Sequence, residues 1–250
     1  MYRVLVSVTA LCLASSFALA EDPAAQELYK KVSDAALAAK TLHFKEAKTS
    51  AVDKSGQKFE MGSEVWFAGD NQFSLKIQME VGGNKQEMQA ICDGTMLGLS
   101  EGGPMEQKEA PKELSATIRG AMVAGGLMPA MSIMGEPDKF KNGGTSDFKA
   151  LAEGKVGDRA ATVIEYTFHF TSGGDEVALG VKLYVDKDTL AILKREATQE
   201  KEGLQITEEY AAVELNAAAP DGTFTIPAAV EPEPEAEKDP EPPAGEAEPK

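Results

Sequence analysis

Apolar and polar residues alternate with a period of two along most of this chain, which marks strands with one buried face. In QFSLKIQMEV, Phe73, Leu75, Ile77, Met79 and Val81 share one side, and Ser74, Lys76, Gln78 and Glu80 the other. ATVIEYTFHF groups Ile164, Tyr166, Phe168 and Phe170; VALGVKLYVD groups Val177, Leu179, Val181, Leu183 and Val185. Comparable segments begin at Leu42, occupy 57–69, 85–94, 95–100, 148–155, 189–200 and 204–215, and close with GTFTIP at 222–227. Turn signals such as Gly82-Gly83-Asn84, Gly157-Asp158, Gly173-Gly174 and Glu202-Gly203 separate them. About 10–11 strands with hairpin connections predict a large antiparallel sheet, a sandwich or a barrel.

Two stretches follow a helical period instead. Asp22 is a fitting N-cap with Pro23 at the first helical position, and Leu28, Val32, Ala35, Ala36 and Ala39 form one apolar stripe ending near Thr41. Between about 104 and 140 the alternation breaks. Leu114, Ile118, Ala121 and Met122 fall at helical spacing, Gly125-Gly126 and Pro129 interrupt, and Met128, Met131 and Met134 follow. An antiparallel sheet with one solvated face must cover its other face, and these two stretches are the available covers. The fold class is therefore α+β and mainly β: a strongly curved antiparallel sheet with an N-terminal helix and a mid-chain helical lid.

Such a sheet encloses an apolar hollow. Its candidate ligand-binding wall is Phe73, Leu75, Ile77, Met79, Ile164, Tyr166, Phe168, Leu179, Val181 and Leu183, and its candidate lid Ile118, Met122, Leu127, Met128, Met131 and Met134. Methionine adapts to varied apolar ligands, and the glycines offer places to pivot. The same methionines serve equally well as gap fillers in a static core, and the pattern alone does not separate the two readings.

Charge narrows the partners. A formal net charge of -16 excludes nucleic acid, which needs clustered Lys and Arg, and disfavours docking on an anionic bilayer by charge alone. EPEPEAEKDPEPPAGEAEPK, Glu231 to Lys250, holds eight acids against two lysines, and such a composition cannot order itself by apolar burial; residues 229–250 read as an acidic, disordered tail. At the other end, Arg3, the apolar run Val4 to Leu13 and Ala18-Leu19-Ala20 read as a signal peptide cleaved after Ala20, which implies export to the periplasm. The folded unit is then 21–228. Removal of Cys12 with the leader leaves Cys92 unpaired, a buried and inert thiol on this pattern.

Candidate chemistry is sparse. His43 and His169 fall on polar strand faces and read as surface histidines, and Trp66 breaks strict alternation, placing it at the rim or in the hollow. GGDEV at 173–177 resembles a diguanylate cyclase signature but reads as a hairpin turn here. No catalytic motif, metal-ligand spacing or phosphate-cradling loop occurs, so no enzyme activity, metal or cofactor is expected.

The segment Val181–Pro227 is similar to the LolA-like family: Val185, Asp186 and Thr189 match its V-D-x-x-T hairpin, Lys194 and Arg195 its K-R strand, and Asn216, Asp221 and Phe224 its closing N-x(4-5)-D-x-x-F strand. The resemblance implies an unclosed β-barrel with helices as a lid, binding acyl chains of lipids or lipoproteins in its hollow, as a monomer working with a membrane-bound donor or acceptor. A sensory or structural interaction module with a filled interior is the other reading the family allows. One departure stands out. The family's carrier closes its lid with an arginine from an early strand, whereas Arg119, Arg159 and Arg195 all lie outside the first meander.

Overall fold

The computed structural model describes residues 21–69, 71–81, 84–134, 143–172 and 174–228. The segment expected as a leader, 1–20, the segment expected as an acidic tail, 229–250, and residues 135–142 of the mid-chain insert lie outside them. Helix α1 (Pro23–Ala38) starts as its sequence predicts: Asp22 Oδ1 accepts the amides of Ala24 and Ala25, Pro23 follows, and Ala25, Val32 and Ala36 are buried.

The strands are β1 (Thr41–Val52), β2 (Lys58–Ala68), β3 (Gln72–Val81), β4 (Asn84–Asp93), β5 (Met96–Ser100), β6 (Glu106–Glu109), β7 (Gly144–Ala150), β8 (Gly154–Val156), β9 (Arg159–Ser172), β10 (Asp175–Asp186), β11 (Ile192–Gln199) and β12 (Leu204–Leu215). All pairings are antiparallel, in the order β6-β5-β4-β3-β2-β1-β12-β11-β10-β9-β7, with β8 against β9. Two meanders are thus joined where β1 meets β12, Leu42 opposite Leu215 and Phe44 opposite Val213. The sheet has twelve strands, short β6 and β8 being ones that alternation over four residues or fewer cannot reveal. Bulges in β1 at Glu46 and in β7 at Asp147, both at positive φ, add local twist.

The sheet does not close, because β6 and β7 stand at its two ends. The chain between them carries helices α2 (Leu114–Ala124) and α3 (Leu127–Ile133). A single connection therefore crosses from one free edge to the other, and its apolar helices lie over the concave face. α1 packs beside it on β7, β9 and α2. One apolar cluster unites the inner sides of both meanders with all three helices.

GTFTIP, expected as a closing strand, is outside the sheet. Residues 217–228 run as a strap across the outer face, where Gln107 Nε2 donates to the Pro227 carbonyl at 3.0 Å. A turn at Gly222 (φ 78) and Pro227 interrupt any ladder. The strap covers Trp66, Ser74 and Ile91, and so corrects the expectation for Trp66, which lies on the outer face rather than at the rim or in the hollow.

Candidate functional site

Both groups of predicted wall residues face the concavity. Phe73, Leu75 and Ile77 of β3, Ile164, Tyr166 and Phe168 of β9, and Leu179, Val181 and Leu183 of β10 are all at most 3% exposed; Met79, farther along β3, is partly buried. Of the predicted lid, Ile118, Met122 and Leu127 are buried, and Met128, Met131 and Met134 are partly buried. The cover therefore fills the trough in this state, instead of spanning an empty hollow. α2 buries most of its circumference, Ser115 and Arg119 included, and leaves one narrow stripe of Ala116, Thr117 and Gly120 toward solvent.

A polar seam runs through this apolar contact. Arg195 on β11 and Glu208 on β12 are cross-strand partners, and Arg195 Nη1 donates to Glu208 Oε2 at 3.1 Å and to the Tyr210 hydroxyl at 2.8 Å. The Tyr210 hydroxyl donates in turn to Glu208 Oε2. From there the seam reaches the cover. Arg195 Nη2 donates to the Val123 carbonyl at 2.8 Å, Glu208 Oε1 accepts the Leu127 amide at 2.7 Å, and the Tyr166 hydroxyl donates to the Ala124 carbonyl at 2.7 Å. The end of α2 and the start of α3 leave backbone groups without helical partners, and the sheet supplies those partners.

Burial works against the charge of Arg195, but Tyr210, Tyr166 and Glu208 outweigh it and hold the guanidinium ionised. Burial raises Tyr210 and Tyr166 above the usual phenol range, while Arg195 pulls the other way. Removing either member of such a pair leaves an uncompensated buried charge, which is strongly destabilising.

The joint between α2 and α3 is shaped to the seam. A Cβ on Gly126 (φ 95) would lie 2.4 Å from Glu208 Oε2 and 2.7 Å from Arg195 Nη1, and one on Gly125 would lie 2.5 Å from the Phe168 ring. These glycines are needed for close approach, a stronger requirement than the pivot suggested by sequence. A second clasp ties the cover to α1: Arg119 donates to the carbonyls of Ala36 and Ala39, the latter at 2.7 Å. An arginine closure therefore exists, but it comes from the second meander and from the cover itself.

The seam escaped the sequence reading, although a signal was there. Glu208 shares the phase of Ile206 and Tyr210, and Arg195 that of Ala197, so opposite charges stand at apolar-phase positions of neighbouring strands. His43 requires correction as well. It is 4% exposed, stacked on Trp66 at 3.6 Å between centroids, with Glu214 and Glu64 at 2.9 and 3.0 Å from its ring nitrogens. His169 is a partly exposed outer-face residue whose Nε2 meets Ser146 Oγ at 3.0 Å. Cys92 is buried, its thiol raised by burial.

The unclosed sheet, the helix beside it and the mid-chain cover make a half-barrel with two free edges, the architecture that the sequence resemblance implies. Solved structures with this likeness include MucB (16% identity over 83% of this chain, TM-score 0.44), LprF from Mycobacterium bovis (9% over 80%, TM-score 0.49) and the LolA superfamily protein NE2245 from Nitrosomonas europaea (12% over 81%, TM-score 0.35). The aligned region spans 64% of the MucB chain, 98% of LprF and 97% of NE2245. No family model and no curated protein matches the sequence. Likenesses this distant assign no function.

Proposed function

We propose that this chain is a non-enzymatic binder of lipid or lipoprotein acyl chains, exported to the periplasm by a leader that ends at Ala20 and folded over 21–228. The observation that carries the reading is the apolar wall of both meanders, from Phe73 on β3 to Leu183 on β10, under a cover joined to the sheet by a few localised polar bonds. An acyl chain entering the trough replaces Ile118, Met122 and Leu127 against that wall with chemically equivalent surface. The partly buried Met128, Met131 and Met134 adapt to what enters.

A membrane-bound donor or acceptor would release the seam, and the chain acts as a monomer in this scheme. A second reading is favoured by one observation: α2 is packed into the trough as a core element, which suits a sensory or structural module with a permanent filling. Native mass spectrometry of protein purified without detergent separates them. The carrier reading expects a bound lipid, or uptake of a fluorescent fatty acid that is faster in Arg195→Met. Protein that holds no lipid and takes up no probe in either form would leave the filled module standing.

A further inference from the structure

The large apolar side chains exposed among the described residues are Leu37, Leu190 and Leu215, at 45%, 39% and 42%. Leu190 and Leu215 line one cleft of about 410 Å³ between α1 and the β10–β11 end of the sheet, and Leu37 follows Ala36, which also lines it. One wall is Val32, Ala35 and Ala36 of α1; the facing wall includes Ile192 and Val213. Alanines at 35, 36, 191 and 212 keep it wide. The volume lies within the range of small-ligand sites, about 300–1,000 Å³.

Leu190 is held in the left-handed region, φ 59, which β-carbon-bearing residues seldom adopt. A turn that displays leucine there, where asparagine or aspartate fits better, favours an apolar surface over local comfort. Arg159 is the one charged residue among the eleven that line the cleft, in a chain of net charge -16. Its Nε and Nη2 both contact Asp186 Oδ2 at 2.9 Å, and its side chain is 43% exposed. Asp186 Oδ1 separately accepts the amides of Asp188 and Thr189 and the Thr189 hydroxyl. The carboxylate thus keeps three donors when the guanidinium turns toward a ligand.

We infer that this cleft binds the carboxylate form of a single-chain fatty acid, its chain between α1 and β11–β12 and its head group on Arg159. A peptide would bring amide groups into a cleft whose side chains offer only Thr189 and Arg159 to meet them. The inference rests on the proposed function in that both take acyl chains, but this site lies outside the covered trough and needs no movement of the cover.

The experiment titrates the full chain with cis-parinaric acid and with its methyl ester. Leu190→Asp suits the left-handed turn and should fold normally, yet weaken both ligands about tenfold through lost apolar contact. Arg159→Gln should weaken the acid about threefold, as an exposed charge pair does, and leave the ester unchanged. Equal affinity of acid and ester, or cleft variants that bind both like wild type, overturns the proposal. Binding that instead responds only to Arg195→Met places the probe under the cover, which removes the cleft site and keeps the trough reading. Cleft-dependent binding by protein that carries no lipid in native mass spectrometry does the reverse.

Discussion

Arg195 and Glu208 stand opposite one another on β11 and β12, their side chains 1% and 2% exposed, and each holds a different helix of the cover. The pair is therefore both an internal ion pair and the tie between sheet and cover. Arg195→Met alone should cost about 3–5 kcal/mol in denaturant unfolding, because Glu208 is left buried and uncompensated, whereas Arg195→Met with Glu208→Leu should recover most of it. Amide exchange at Leu127 should speed up in both. Additive losses in the double variant would mean that the two residues are not coupled.

Gly126→Ala pushes a methyl group into the carboxylate of Glu208 and also strains a backbone at φ 95. We expect it to destabilise by more than 1 kcal/mol, on the order of the cost of a strained residue and a disrupted buried bond. Gly62→Ala, on β2 with open space around it, is the control and should stay within about 0.5 kcal/mol. Thermal melts of the two variants compare them directly; equal melts would remove the close-approach argument.

Trp66 is the single tryptophan, stacked on His43 and covered by residues 220–227. Its fluorescence consequently reports on the strap. Truncation after Asn216 should shift the emission to the red and raise quenching by iodide, with far-ultraviolet circular dichroism unchanged because the strap contributes no strand. An unshifted emission would place Trp66 under some other cover.

Above pH 10 the phenols of the seam become a liability. Tyr166 and Tyr210 are raised by burial from an ordinary value of 10.0. The folded state then holds protons that the unfolded state has released, so stability is fully present below about pH 10 and falls as pH rises past it. Ultraviolet difference spectra should show these two phenolates only together with loss of the fold. Their ionisation in an intact protein near pH 10 would contradict the burial described above.

Cys92 donates to the Asn71 carbonyl at 2.9 Å and its thiol is raised by burial. A thiol reagent at neutral pH should label it only after denaturation. Rapid labelling of the native chain would reveal opening of β3–β4.

Strands with a long alternating run were legible because each side chain's face follows from its parity. Phe73, Leu75 and Ile77 needed no further knowledge to be assigned inward, and α1 announced itself through Asp22 and Pro23. His43 had the parity of a polar-face residue, as expected, but parity gives only the face. What lies over that face was set by the C-terminal strap and by Trp66, distant in sequence. The strap itself was misread as a strand, since Thr223, Phe224, Thr225 and Ile226 alternate like one while Gly222 and Pro227 deny them ladder partners.

By itself, the order of residues determined the antiparallel strands, their inward faces and a helical insert rich in methionine, since period, turn residues and caps are local properties. Tertiary structure alone decided that the insert sits inside the trough and that Arg195, Glu208, Tyr210 and Tyr166 converge on its glycine joint. Those contacts join residues far apart in sequence. Convergence of that kind depends on sheet curvature and on which edge strands remain unpaired, quantities to which no short stretch of sequence is sensitive.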